Sequence, residues 1–370
     1  MRQEILDGWN SHEEISKILR RFGSKKFLLV CDGAFQHIPF KRHFDEIDIP
    51  YVKFDDIVPN PTYEIVCKAV DLFSLAQCDA IIAVGGGSTI DVAKCVKLFS
   101  PMDKARNYLG QEYRGTAVPL IAMPTTAGTG SESTRHAVIY YKGEKQSISH
   151  DSILPDYAIL DYNVLHTLPP YQKICTMLDA LCQGIESWWS IKSTGESREY
   201  SKTAVRMIMD HMQAYIGRSE AEAAKAVMLG ANYAGRAINI TQTTAAHAMS
   251  YKITSLYGLP HGHAVAVCLP KVWRHMAENT DMCIDERGKG YLEEILRDIA
   301  HAMGADSSDA AIGIFERMLG DLHINNPETG QAGDLHTLAA SVNPDRLKNN
   351  PVYISEDLLY RMYREIVTVK

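Results

Sequence analysis

The feature that most limits the folds open to this chain is a change of texture at Leu168-Pro169-Pro170. Before it, short β-rich runs alternate with amphipathic stretches; after it, helix follows helix, rich in Ala, Met, Leu and Glu. Strand candidates are KFLLVCD (26–32), YVKF (51–54), DAIIAV (79–84), PLIAMP (119–124) and YAILD (157–161), with helices such as TYEIVCKAVDLFSLAQ and STIDVAKCVKLF between them. Parallel strands need a crossover, usually a helix, so this alternation is the pattern of a parallel sheet covered on both faces. The segment 136–150, HAVIYYKGEKQSISH, reads instead as a hairpin turning at KGEK. The expected architecture is an α/β N-terminal domain with a parallel sheet (residues 1–167), followed by an all-α C-terminal domain (168–370). Loops are expected at STGES, GLP, GADSSD and NNPETGQAG, and no repeat or low-complexity segment interrupts either half.

A chain of 370 residues is long enough for two domains with large cores. Its 38 basic and 45 acidic residues give a formal charge of −7 with no basic run, which argues against nucleic acid as a partner. No apolar stretch reaches membrane-spanning length, and the opening MRQEILDGWNSHEE lacks the apolar core of a secretory signal. The eight cysteines are scattered through apolar segments with no CxxC pair, which reads as reduced core thiols of a cytoplasmic protein.

Two glycine-rich turns suggest a nucleotide site. DAIIAVGGGSTIDVAK is a strand, three glycines and a helix, a turn that offers backbone N–H groups and a positive dipole end to a pyrophosphate. A Cβ at Gly85, Gly86 or Gly87 would obstruct the phosphate or the sharp turn. The G-x-G-x-x-G fingerprint is absent, since Ile90 stands where its last glycine would be, and a tight structural turn remains the alternative. PTTAGTGSEST follows the next strand, and its hydroxyls at Thr125, Thr126, Thr129 and Ser131 suit phosphate, ribose or nicotinamide amide. Two such loops at strand C-termini favour a dinucleotide cleft. Asp32, at the end of LLVC, suits an adenosine ribose and repels a 2′-phosphate, favouring NAD(H) over NADP(H); it also reads as a turn-capping residue before Gly33.

Four polar side chains in the helical half read as a metal site: Asp179 and Gln183 in LDALCQGIES, and His247 and His261 in TTAAHAMSYKITSLYGLPHGHAVAV. Residues four apart share a helix face about 6 Å apart, so Asp179 and Gln183 can serve one ion. An unbroken helix from His247 to His261 would rise about 21 Å, far beyond ligands bound at roughly 2 Å. Gly258, Leu259 and Pro260 supply the required break. Each residue alone also reads as an ordinary core or surface group. Two imidazoles, a carboxylate and an amide oxygen suit Fe(II), with Zn(II) and Mn(II) as competitors.

With GGGSTIDVAK, PTTAGTGSE, the Asp179 helix and HAMSYKITSLYGLPHG in order, the chain resembles the iron-dependent (group III) alcohol dehydrogenase family from about Phe27 to the end. The resemblance implies the dehydroquinate synthase-like architecture of that family: an N-terminal dinucleotide-binding domain and a helical domain, with metal and substrate in the cleft between them. It implies NAD(P)-dependent oxidation of an alcohol or reduction of an aldehyde, with iron as the favoured metal and, as in many relatives, a homodimer. By position, Gly86, Gly87, Ser88 and Asp91 correspond to the phosphate loop, while Thr125, Thr126, Thr129 and Ser131 line the nicotinamide half. Asp32, Asn60 and Lys145 fall on the ribose and adenine side, and Asp179, His247 and His261 on ligand positions.

Two positions depart from the family pattern. Gln183 stands where a histidine ligand is usual, a hard neutral oxygen expected to weaken metal binding. Tyr251 stands where many relatives carry a proton-transfer histidine, leaving Tyr251 and His263 as candidate catalytic residues. Within the family, DALCQGIESWWS, RHAVIYYKGEKQSISHDSILPDYAILD and SVNPDRLKNNP look most like the phosphonoacetaldehyde reductase branch. That likeness implies reduction of phosphonoacetaldehyde to 2-hydroxyethylphosphonate, with Arg135, His136, His150, Lys252 and His263 as candidate phosphonate partners. The alternatives are a dehydrogenase for an uncharged short-chain alcohol or aldehyde of the butanol or 1,3-propanediol type, a lyase on the same architecture, and a metal-free nucleotide-binding protein.

Overall fold

The computed structural model describes residues 3–217, 220–329, 331 and 333–369. Gly330 and Ala332 of the expected NNPETGQAG loop lie outside the described residues. The chain forms two compact units, Met1–Pro169 with Ser219–Met228, and Pro170–Arg218 with Leu229–Lys370. The division is thus not a single cut, because the short segment at 219–228 clusters with the first unit.

The first unit holds, in order, β1 (Glu4–Gly8), α1 (Ile15–Phe22), β2 (Phe27–Cys31), β3 (Tyr51–Phe54), α2 (Tyr63–Leu75), β4 (Ala80–Gly85), α3 (Gly87–Phe99), β5 (Leu120–Pro124), β6 (His136–Tyr141), β7 (Glu144–Ser149) and β8 (Tyr157–Asp161). Six of these strands make one sheet in the order β1-β8-β5-β4-β2-β3, all pairs parallel. Strands β2, β4, β5 and β8 are buried on both faces, which is why they read as unbroken apolar runs and not as alternation. From β2 the chain steps outward to β3 and then back across to β4, so the strand order reverses between β2 and β4. Open α/β sheets bind ligands beyond the strand ends at such a reversal. Asp32 follows β2 and Gly85 ends β4, so both flank it.

β6 and β7 form the expected hairpin, turning at Lys142 and Gly143 with φ of 53° and 80°. Positive φ at both central residues is the turn that suits right-twisted strands. β1 is a strand that the sequence analysis missed. Its EILDG pairs with β8 from Glu4 opposite Tyr157 to Gly8 opposite Asp161, but as an edge strand it alternates poorly and carries charges that blunt the edge.

The second unit contains α4 (Pro170–Trp189), α5 (Gly195–Gly217), α6 (Ala221–Thr241), whose first turns belong to the other cluster, α7 (Ala245–Tyr257), α8 (His261–Glu278), α9 (Gly288–Ala302), α10 (Ser308–Asp321), β9 (Glu328–Thr329), α11 (Asp334–Ala340), α12 (Pro344–Leu347), α13 (Glu356–Ile366) and β10 (Thr368–Val369). Among the described residues its only regular structure besides helix is the two-residue β9–β10 pair. α4 runs through its centre, buried at every position from Met177 to Trp189, and Trp189 meets Trp273 of α8 edge to face at 5.8 Å. A helix buried all round should be apolar all round, so Asp179, Gln183 and Glu186 on α4 are the informative exceptions. No helix among the described residues is long and apolar enough to cross a membrane. All eight cysteines are free, six of them buried and Cys67 and Cys283 half-buried.

Candidate metal centre and nucleotide loops

One ligand atom from each of Asp179, His247 and His261 falls within a cluster no wider than 4.8 Å. α4 presents Asp179, α7 presents His247, and the break between them and His261 is made by Gly258, whose φ of 67° ends α7 before Pro260 starts α8. His247 Nε2 lies 3.3 Å and His261 Nε2 3.9 Å from Asp179 Oδ1. Gln183 lies one turn beyond Asp179 on α4 and helps to hold its carboxyl below the usual range, while the buried Gln183 Oε1 has no hydrogen-bond partner. A buried amide oxygen left unsatisfied is expensive unless something coordinates it. Two imidazole nitrogens, a carboxylate and an orphaned carbonyl oxygen fit a divalent cation.

The sequence analysis missed Glu186, which is fully buried on α4. Its carboxylate accepts from His247 Nδ1, the Thr244 hydroxyl and the backbone N–H groups of Thr244, Ala246 and His247. Glu186 therefore caps α7, which has no side-chain cap of its own, and fixes the His247 tautomer with Nε2 left for a metal. The available signal was spacing: Glu186 lies seven residues after Asp179, on the same helix face.

Burial alone would lower the pKa of His247, but Glu186 and Asp179 push it up to about 10. Burial raises and His261, His247 and Gln183 lower that of Asp179, which ends below its usual value. A cation must then displace a proton from His247. Apparent affinity for Zn(II) is expected to climb about tenfold per pH unit between pH 6 and 8. Chelator competition at three pH values checks this; a flat profile would mean that binding releases no proton from His247.

His261 is placed by Gly262. A Cβ at Gly262 would sit 1.9 Å from the Cys175 carbonyl oxygen and 3.0 Å from Asp179 Cβ, so the first turn of α8 lies directly against α4. Tyr251 stacks on the His261 ring, with centroids 5.6 Å apart and planes 2° from parallel. His263 is buried and committed at both nitrogens, with Tyr171 Oη at 2.8 Å from Nδ1 and the Asn325 carbonyl accepting from Nε2 at 2.7 Å. Burial lowers its pKa. Those bonds take up the ring atoms that a proton donor at His263 would need.

In the first unit, Asp32 Oδ1 accepts from Ala34 N, and Oδ2 accepts from Gly86 N at 3.3 Å and Thr89 Oγ1 at 2.7 Å. Asp32 thus caps its own turn and also braces the glycine loop. A Cβ on Gly85 would meet Thr89 Oγ1 at 2.3 Å and Asp32 Oδ2 at 2.6 Å, and one on Gly87 would meet Thr129 Cγ2 at 2.9 Å. Packing within the protein therefore demands glycine at both positions. Of the three, only Gly86 leaves room for a Cβ, in ordinary contact with Thr126 at 3.8 Å. α3 begins at Gly87, so the amides of Gly87, Ser88 and Thr89 have no helical acceptor and suit an anion.

Asp91, expected at the phosphate loop, is bonded within the protein. Its oxygens accept from Ser131 Oγ at 2.6 Å and Val138 N at 2.8 Å, joining the two loops, and burial raises its pKa. Fully buried Lys94, also unforeseen, donates to Ser131, Thr134 and the His136 carbonyl, and its pKa is brought down to about 8 by burial. Thr125 N bonds the Gly85 carbonyl, and Thr129 Oγ1 accepts from Ser131 N. Lys145 on β7 lies close enough to act on Asp91, whereas Asn60 is exposed in a left-handed turn with φ of 57°.

Residues 3–162 match the family described as iron-containing alcohol dehydrogenase, and residues 173–366 match the C-terminal region of the Fe-containing alcohol dehydrogenase family. The chain is 33% identical over 303 residues to phosphonoacetaldehyde reductase of Streptomyces viridochromogenes, covering 78% of this chain and 76% of the relative. It is 28% identical over 314 residues to long-chain-alcohol dehydrogenase 1 of Geobacillus thermodenitrificans, covering 81% and 76%. Among solved structures it is similar to sulfoacetaldehyde reductase from Bifidobacterium kashiwanohense in complex with NAD+, with a TM-score of 0.88, 25% identity and 99% of each chain covered.

Proposed function

The chain belongs to the iron-containing alcohol dehydrogenase family and is an oxidoreductase, and from that premise we propose that it reduces phosphonoacetaldehyde to 2-hydroxyethylphosphonate with NAD(H) and a divalent cation. The observation that carries the metal part is the convergence of Asp179, His247 and His261, with a buried, unpartnered amide oxygen of Gln183 one turn along α4 from Asp179. When bound, Fe(II), Zn(II) or Mn(II) would polarise the aldehyde carbonyl as a Lewis acid, and reduced nicotinamide would supply the hydride.

The chain's own residues do the rest. Asp179, Gln183, His247 and His261 hold the cation, and Glu186 keeps His247 in the tautomer that can bind it. Gly86, Gly87 and Ser88 hold the pyrophosphate, with Thr125, Thr126, Thr129 and Ser131 on the nicotinamide half and Asn60 and Lys145 toward the adenosine. Asp32 takes the ribose and disfavours a 2′-phosphate. The proton that completes the alcohol is assigned to Tyr251, stacked on His261, in preference to His263, whose two nitrogens are engaged. A cytoplasmic homodimer belongs to the same reading; size-exclusion chromatography with light scattering tests the assembly.

Two relatives support an anionic aldehyde, since phosphonoacetaldehyde and sulfoacetaldehyde both carry an acidic group beside the carbonyl carbon chain. Of the candidate partners, Arg135 is paired with Asp151, His150 with Ser152, and His263 with Tyr171 and Asn325. Lys252, half-buried and next to Tyr251, makes no ion pair among the described residues. Lys252→Ala is expected to raise KM for phosphonoacetaldehyde about tenfold and leave butanal nearly unchanged. Equal effects on both aldehydes would remove Lys252 from substrate recognition. The broader reading is tested by an aldehyde panel with NADH and NADPH, each with and without Fe(II). Turnover of butanal well above phosphonoacetaldehyde would favour an uncharged short-chain substrate.

A further inference from the structure

Asn349 lies in the KNNP segment just after α12 and is buried. Its Nδ2 donates to the carbonyls of Thr241 at 2.8 Å and Thr243 at 3.0 Å, and its Oδ1 accepts from Ser190 Oγ at 2.8 Å. Its backbone carbonyl accepts from Ile191 N at 3.2 Å. One side chain therefore ties the residue that follows α4 to the end of α6 and to the connector that leads into α7. That connector includes Gln242 in a left-handed conformation, φ 61°, which an ordinary residue holds only when its surroundings impose it.

The clasp thus links α4, which carries Asp179, to the start of α7, which carries His247. Glu186 grips the connector from one side, through Thr244, Ala246 and His247. Asn349 grips it from the other, through Thr241 and Thr243. Arg287 donates to the carbonyls of Ser190, Ile191 and Ser193, so the α4 end of the clasp is itself held. His261 depends on a separate contact, Gly262 against Cys175.

We propose that Asn349 is a positioning residue for the metal centre: by clasping the Thr241–Thr243 carbonyls to Ser190, it sets the separation of Asp179 on α4 from His247 on α7 and thereby the affinity for the cation. The proposal rests on the metal-centre reading above. Without both donors, the Thr243 carbonyl loses its partner, the Thr241 carbonyl keeps only the Ser190 hydroxyl at 3.4 Å, and the connector relaxes, carrying the start of α7 with it. Supporting residues of this kind typically govern metal affinity by 10–100-fold.

The test is Zn(II) affinity by chelator competition at 25 °C, with melting temperature measured alongside, on wild type, Asn349→Ala, Asn349→Asp, Ser190→Ala and Leu319→Ala. Leu319→Ala opens a cavity in the last turn of α10 and matches the loss of stability without touching the clasp. Asn349→Ala is expected to weaken Zn(II) binding at least about tenfold, and Leu319→Ala by less than about twofold. Asn349→Asp should behave like the alanine variant, because it keeps the acceptor for Ser190 but has neither donor. Ser190→Ala should weaken binding about threefold, and it decides the matter if the Asn349 variants do not fold. Unchanged affinity in Asn349→Ala, an equal loss in Leu319→Ala, or full rescue by aspartate overturns the proposal. A wild type that binds no Zn(II) overturns the metal-centre reading first, and this proposal with it.

Discussion

His247→Ala abolishes aldehyde reduction: the expected fall in kcat/KM is about 10³-fold or more, with NADH binding retained. The variant removes one of the clustered ligand atoms. It also leaves Glu186 buried with its main side-chain partner gone and Asp179 facing one imidazole in place of two. A Lewis acid contributes several kcal/mol to a carbonyl reduction, and each 1.36 kcal/mol is a factor of ten in rate. The nucleotide loops belong to the other unit, so coenzyme affinity is the control. Wild-type turnover in this variant, measured by NADH absorbance, would show that the cluster is not the reacting centre.

Gly262→Ala is expected to cost about 3 kcal/mol or more of stability and to destroy metal binding. The new methyl would lie 1.9 Å from the Cys175 carbonyl oxygen, a backbone atom that no rotamer change can move aside. α8 must therefore back away from α4, and His261 precedes the offending residue. Gly290→Ala in α9 is the control: nothing lies within 4 Å of its Cβ, so it should be neutral or stabilise by up to about 1 kcal/mol. Chemical denaturation reports both. If Gly262→Ala were as stable as Gly290→Ala and still bound Zn(II), the packing of α8 on α4 would not be what places His261.

How far the sequence could be read depended on whether the signal was local. The doubly buried strands β2, β4, β5 and β8 announced themselves as apolar runs, and Gly258 with Pro260 announced the break between α7 and α8. β1 was missed because an edge strand needs only one partner and tolerates charge. Asp179, Gln183, His247 and His261 were visible as ligand types at suitable spacings. Glu186, Lys94, Asn349 and Gly262 were not, because each acts through a partner at least 37 residues away in the chain, as Lys94 to Ser131 illustrates. The same distance effect hid the contacts by which Asp91 braces two loops.

The cysteines have a practical consequence. Six of the eight are shut away, and burial raises the pKa of Cys31, Cys78, Cys95, Cys175, Cys182 and Cys268, so the folded chain offers almost no thiolate to an alkylating reagent. Three of these thiols lie in the sheet-containing unit and three in the helical one. Maleimide uptake, mapped by mass spectrometry, then becomes a clock for opening that distinguishes which half of the molecule lets go first.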